Sequence, residues 1–386
     1  MKGFKNVNVY VDGQKIVKTS IGIENGKIAF IGDNDCEEIY SFSDNAVILP
    51  GFIDQHIHGS ATADAMDGTV EALTIIANSI ACEGTTAFLA TTMTQSPENI
   101  SKSMRAVKNY KELNPTNGAK LLGVHLEGPY INKGKAGAQP ANYIINPDIK
   151  QFEDYNELSG NSIKIVTLAP ENEGANDFIA YLKAKNINAS IGHTCAKYSD
   201  VEKAVTYGAA QITHTYNAQS PFGHREVGVV GSALLFDELA CEIICDLIHI
   251  SIPALKLLFK NKPSDKVILI SDAMRAKNLG DTISELGGQT VYVKNGEARL
   301  EDGTLAGSIL KINDAIKNIV TSCNVPFLTA VDYATKNPAK NLGVYDQMGS
   351  ISVGKYANFA ILDKNTFEVL MTVREGNVIY KNDKLQ

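Results

Sequence analysis

No stretch of this chain approaches the roughly 18 uninterrupted apolar residues that a membrane-spanning helix needs. The opening MKGFKNVNVYVDG lacks the apolar core of a secretory leader. A protein neither inserted in a membrane nor exported is the expectation. Basic blocks are missing as well: the net charge is −7 and few aromatics lie near lysines or arginines, which argues against a nucleic-acid footprint. The six cysteines (Cys36, Cys82, Cys195, Cys241, Cys245, Cys323) are scattered, most of them in apolar runs. They lack the dense spacing of a disulfide scaffold and read as reduced thiols of a cytoplasmic protein. Low-complexity tracts are absent, and with 44% hydrophobic and 20% charged residues a large core can form and disorder is excluded.

A length of 386 residues exceeds one ordinary domain but suits a barrel of roughly 250 residues carrying an accessory unit. From residue 3 to about 48 short alternating strands are broken by turns, with Asn25-Gly26 as a two-residue hairpin signal. The same pattern returns in YANFAILDKNTFEVLMTVREGNVIY. Between them, eight short apolar runs alternate with helical patterns: VILPGFIDQHIH, TTAFLATT, LLGVHLEGP, IKIVTLAPE, NASIGHT, AQITHTY, CEIICDLIH and KVILISDA. Continuous rather than alternating apolarity fits parallel strands buried on both faces. The expectation is a (β/α)8 TIM barrel over 49–340, with a small β-sandwich domain built from residues 1–48 and 341–386. Periodicity alone leaves a doubly wound open sheet as the alternative.

Polar residues favour the barrel. All seven histidines (His56, His58, His125, His193, His214, His224, His249) lie at or just after one of these strands, and only in a barrel do the C-terminal strand ends converge on one mouth. His56 and His58, two apart on a strand, project from one face. Glu127 ends the third run, His193 the fifth, His214 the sixth and Asp272 the eighth. Imidazole nitrogen with carboxylate oxygen is the donor set of a hydrolytic divalent metal, which keeps one position open for water. Glu127, His193 and His214 make one such set; His56, His58 and Asp272 could form a second, with Glu127 bridging.

The segments PGFIDQHIHG, HLEGPYI, IGHT, THTYNA, GHREVGVVGSAL, DLIHI, ISDAM and LAGS occur in that order from Pro50 to about Asp363. Together they resemble the successive motifs of the N-acetylglucosamine-6-phosphate deacetylase family within the amidohydrolases. The first histidine pair and the last aspartate are shared by ordinary amidohydrolases, whereas HLEGP and the THTYNA to HRE stretch are more specific. The resemblance implies hydrolysis of N-acetylglucosamine 6-phosphate to glucosamine 6-phosphate and acetate, in amino-sugar catabolism and cell-wall recycling. It assigns the catalytic ion (Zn²⁺, Fe²⁺, Mn²⁺ or Co²⁺) to Glu127, His193 and His214. Asp272 becomes general base and later general acid, and the intact His56 and His58 imply a second ion.

Further roles come from the same resemblance. Asn217, Ala218, His249 and Arg225 would bind the phosphate, supplying the local cation that the acidic whole lacks. Arg225 would reach the site of a neighbouring subunit in a homodimer with shared active sites. Ala138 and Gln139 would meet the sugar or its acyl oxygen; many family members carry histidine at position 139, so no cationic group is available there. Leu305, Ala306 and Gly307 would return from a hairpin turning at Asn295-Gly296 to line the acetyl pocket. Cys195, close after His193, has no base and orienter about it that would make it a nucleophile, and Cys241 with Cys245 reads as buried strand packing. Two rivals remain on sequence: another amidohydrolase of the dihydroorotase or dipeptidase type, most of which bridge their metals with a carboxylated lysine where Glu127 stands here, and a non-catalytic barrel that only binds an amino-sugar phosphate.

Overall fold

A computed structural model describes residues 1–13 and 15–385. All eight apolar runs form strands: Phe52–Ile57, Thr85–Thr91, Lys120–Glu127, Ile163–Leu168, Asn188–Ile191, Gln211–Ile212, Ala240–Ile244 and Val267–Ile270, here called barrel strands one to eight. Each pairs in parallel with the next. Strands one and eight close the ring at their C-terminal ends, where Asp272 N donates to His56 O at 2.9 Å and His58 N to Ala273 O at 2.9 Å. The open-sheet alternative is thereby removed. Asp54, fully buried at this seam, accepts the Ser271 hydroxyl at 2.5 Å and so ties the two strands by side chain as well.

The surrounding helices start and stop where local chemistry dictates. In Pro97–Leu113 the Ser96 hydroxyl accepts Asn99 N, Pro97 occupies the first turn and Asn114 ends the helix in the left-handed conformation. Its buried residues Ile100, Met104, Val107 and Tyr110 follow the three-and-four spacing of one helix face. No helix among the described residues is long and apolar enough to cross a membrane.

The terminal segments form one continuous sheet that contains Lys2–Tyr10, Ile16–Glu24, Lys27–Gly32 and Ala46–Pro50 from the N-terminal side and Phe359–Asp363, Val369–Arg374 and Asn377–Lys381 from the C-terminal side. The Gly26 turn lies against Glu375, and the two termini share one sheet domain rather than the two separate layers that a β-sandwich implies. Asn25 (φ 51°) and Gly26 (φ 76°) are both left-handed, as a two-residue hairpin of this twist requires. The run VILPGFIDQHIH spans two strands: Ala46–Pro50 belongs to the terminal sheet and barrel strand one begins at Phe52. Gly51 marks the division because a Cβ there would sit 2.2 Å from Thr86 Oγ1. Period-two alternation joins the units: Ala46 and Ile48 point into the core of the terminal sheet domain, while Val47 and Leu49 point into the barrel core. Phe359 and Ile361 against Ala360 and Leu362 repeat this on the partner strand.

After strand eight the chain makes a three-stranded antiparallel excursion, Thr282–Leu286, Gln289–Lys294 and Glu297–Leu300. Asn295-Gly296 forms its second turn, and one strand more is present than a simple hairpin has. It packs on Met93 and Met274 and hangs over the barrel mouth.

Candidate metal centre

Barrel strands one and three carry His56 and Glu127, His58 follows one residue past strand one, and His193, His214 and Asp272 sit two residues past their strands. At the last three positions the backbone turns left-handed: His193 has φ 47°, His214 28° and Asp272 49°. Such conformations cost about 1–3 kcal/mol each and persist only where the surroundings fix them. Here His193 O accepts Asn132 N, His214 O accepts Asn217 N, and Asp272 O accepts Ser308 N, at 2.8–3.0 Å.

The side chains converge. Glu127 Oε1 lies 3.0 Å from His214 Nε2 and 3.2 Å from His193 Nε2, and these two nitrogens are 3.0 Å apart. Beside them, Asp272 Oδ1 lies 3.4 Å from His56 Nε2 and 3.3 Å from His58 Nε2. Glu127 Oε2 is 3.3 Å from His58 Nε2, so its carboxylate faces both groups. Each triad brings its donor atoms within 4.8 Å of one another.

Proton positions follow from partners that can only accept. His193 Nδ1 stands 2.8 Å from the Lys135 carbonyl and His56 Nδ1 3.0 Å from the Glu242 carboxylate. Both Nδ1 atoms therefore carry hydrogen, so that each imidazole, when neutral, aims its Nε2 lone pair at the centre. His56 Nε2 is buried and makes no hydrogen bond to the described residues. An orphaned buried nitrogen between two carboxylates fits a divalent cation, as do the imidazole and carboxylate donors around it.

Electrostatics agree. Burial works to raise the Glu127 and Asp272 carboxyls, but His56 and the other imidazoles outweigh it, holding Glu127 well below the usual range and Asp272 at about 2. For His56, burial works downward and the facing Asp272, Glu127 and Glu242 carboxylates prevail, raising it to about 9. Both carboxyls thus stand ionised at neutral pH, as ligands and bases must be.

These groups floor a cavity of about 350 Å³, whose walls include Ala138, Gln139, Asn217, Ala218, His249, Leu305 and Gly307. His249 is aimed into it by Asp246, whose carboxylate takes Nδ1 at 2.6 Å and the His249 and Ile248 N–H groups at 2.8 and 2.9 Å. Among the expected residues Gln139 lines the cavity with its amide largely engaged, Ala306 does not line it, and Arg225 lies outside its own cavity. Gln139 spends its carbonyl on Thr94 N (2.6 Å) and one N–H on Glu127 Oε2 (2.9 Å), so only its second N–H is left for a ligand. Ala306 is fully buried in the core of the excursion, between the wall residues Leu305 and Gly307. Arg225 is exposed and does not line the cavity. Asn217 does line it, but its backbone N–H is already donated to His214 O.

Sequence reading passed over Glu242, Gln55, Gln211 and Asp246. Glu242 is fully buried on strand seven. Its signal was present, a carboxylate inside the apolar run CEIIC, since an ionised group in such a run needs partners. Asp246 in DLIH had the short spacing of a side chain that caps its own following turn.

A profile of the Amidohydrolase family matches residues 47–379. The chain is 42% identical over 382 residues to the N-acetylglucosamine-6-phosphate deacetylase of Bacillus subtilis, covering 97% of this chain and 96% of that one. It is 38% identical over 379 residues to the enzyme of that name from Lysinibacillus sphaericus, with 97% and 96% covered. Among solved structures, N-acetylglucosamine-6-phosphate deacetylase from Thermotoga maritima superposes with a TM-score of 0.89 at 33% identity, over 98% of this chain and 100% of that one.

Proposed function

The chain belongs to the amidohydrolase family, within its N-acetylglucosamine-6-phosphate deacetylase branch, and on that premise we propose how its barrel mouth performs the deacetylation. The overall reaction converts N-acetylglucosamine 6-phosphate and water to glucosamine 6-phosphate and acetate. The relatives it matches along nearly their whole length are enzymes of this name, which favours this activity over a non-catalytic sugar-phosphate binder or a dipeptidase-like amidohydrolase.

Glu127, His193 and His214 would hold the primary divalent ion, with Zn²⁺, Fe²⁺, Mn²⁺ and Co²⁺ all suited to two imidazoles and a carboxylate. His56, His58 and Asp272 would hold a second, with Glu127 shared. When bound, the ion polarises the acetyl carbonyl and makes water acidic enough to attack at neutral pH. Asp272, ionised and at the edge of both triads, accepts the proton of the attacking water. It then returns that proton to the sugar nitrogen as the amide C–N bond breaks, so that the amine leaves neutral. Leu305 and Gly307 wall a small space suited to the acetyl methyl. Ala218, His249 and Asn217 also line the cavity and would bind the phosphate.

Arg225, exposed outside its own cavity, suits delivery to the phosphate of a substrate bound in a second copy, and a two-fold dimer would complete both sites at once. Six free cysteines, four of them buried, suit a reducing cytoplasmic setting.

The observation that carries this reading is the convergence of two Nε2 atoms on one Glu127 oxygen beside an ionised Asp272 in a single cavity. Acetate release from 6-phosphorylated and unphosphorylated N-acetyl sugars tests it: turnover should be confined largely to the phosphorylated compounds and vanish on chelation. Equal use of the unphosphorylated sugars would remove the phosphate assignment, and no acetate from either would remove the reaction.

A further inference from the structure

Glu242 takes no part in the chemistry described so far, yet it is a fully buried carboxylate. One oxygen accepts from Gln55 Nε2 at 2.7 Å and Gln211 Nε2 at 2.9 Å. The other faces His56 Nδ1 at 3.0 Å and, more distantly, His214 N at 3.4 Å. Its ion-pair partner among the described residues is His56; no lysine or arginine neutralises it. The two glutamine amides are themselves oriented, because Asn341 Nδ2 donates to Gln55 Oε1 at 3.0 Å and to Gln211 Oε1 at 2.6 Å. With their oxygens occupied by Asn341, their N–H groups must face Glu242. Three polar side chains thus fix the rotamer of one anion beneath the metal centre.

Burying an ionised carboxylate is costly, and a glutamine of the same shape would fill this place without that cost. Retaining the charge has a use if His56 must present an unprotonated Nε2. We propose that Glu242 is the positioning residue of the second metal site: its carboxylate holds His56 in the Nδ1–H tautomer and strengthens its Nε2 as a ligand, while Gln55, Gln211 and Asn341 hold Glu242. The role rests on the two-ion reading of the barrel mouth. The primary triad meets Glu242 only through the long contact from the His214 backbone N–H, and its His193 is oriented by the Lys135 carbonyl instead.

Co²⁺ titration of metal-free protein, followed by visible absorption and calorimetry, separates the cases. The wild type should take up two ions. Glu242→Gln should weaken the second by roughly 10- to 100-fold with the first unchanged, and Glu242→Asp, which keeps the charge, should lie between. Two ions in the wild type with unaltered affinities in a Glu242→Gln protein of native circular dichroism overturn this role alone. A wild type that takes up only one ion overturns both the role and the two-ion reading. Should Glu242→Gln not fold, ¹⁵N spectra of histidine in the Zn²⁺-loaded wild type decide: His56 is expected with hydrogen on Nδ1, and hydrogen on Nε2 contradicts the proposal.

Discussion

The two sides of the barrel mouth solve one problem with different materials. On the side of strands three, five and six, His193 is clamped by a neutral backbone carbonyl and His214 Nδ1 makes no hydrogen bond to the described residues. On the side of strands one and eight, His56 is clamped by a buried carboxylate and His58 Nδ1 is the unpaired one. A neutral clamp orients a ligand with little effect on its basicity; a charged clamp also makes it a stronger base. Both sides open to the cavity, one through Glu127, His193 and His214 and the other through His58 and Asp272, whereas His56 has no exposed surface at all. In the proposed mechanism the first half works on substrate and the second, built around the enclosed His56, supports it. Asp272 belongs by contact to the supporting half and by position to the reacting one.

The comparison breaks first at Asp272. Asp272→Asn keeps an oxygen ligand but cannot accept a proton, so kcat should fall by roughly 10²–10⁴-fold with metal content retained; acetate assay beside metal analysis checks this, and a near-normal rate would remove the aspartate from the chemistry. Glu127→Gln should differ in kind: it deletes the charge shared by both halves, so bound metal itself should drop, which elemental analysis reads. Normal metal content in that variant would mean that the ligand set is misplaced.

pH sharpens the contrast further. His56, raised to about 9 by its three carboxylates against the effect of burial, is protonated in the empty site below that pH, and an ion must displace the proton. Affinity for the second ion should therefore climb as pH rises toward about 9, with protons released on binding. Calorimetry in two buffers of different ionisation enthalpy measures this, and a flat profile would show that the carboxylate side is not set as described. The smallest effect lies outside the cavity. Arg225→Ala should raise KM for the phosphorylated sugar by roughly 10- to 100-fold, the loss of one or two charge-assisted hydrogen bonds, with little change for the unphosphorylated one. If Arg225 acts on a second copy, mixing Arg225→Ala with Asp272→Asn protein should regenerate activity after subunit exchange.

Much of this was legible in the sequence because parallel strands buried on both faces print as continuous apolar runs, and because side chains with a chemical task sit at the ends of those runs. His56, His58, Glu127, His193, His214 and Asp272 could be grouped on that ground before any geometry. Residues that act through others were harder. Glu242 is read as apolar strand because its partners Gln55, Gln211 and His56 come from strands one and six, and nothing local announces them. Gln139 looked like a sugar contact, but its amide is largely taken up by Thr94 and Glu127, a long-range pairing that residue type alone cannot predict. The left-handed turns at His193, His214 and Asp272 were invisible for another reason: none of these is glycine, and hydrogen bonds that are long-range at His193 and Asp272 and local at His214 hold the conformation.

The asymmetry itself is tested most directly by one double variant, His56→Ala with His58→Ala, in which bound metal and acetate release are measured on the same preparation. If the half built on Glu127, His193 and His214 holds the catalytic ion, metal should fall from about two ions to one while deacetylation persists. Loss of all metal together with all activity would place the primary ion on the other side of the mouth and reverse the assignment.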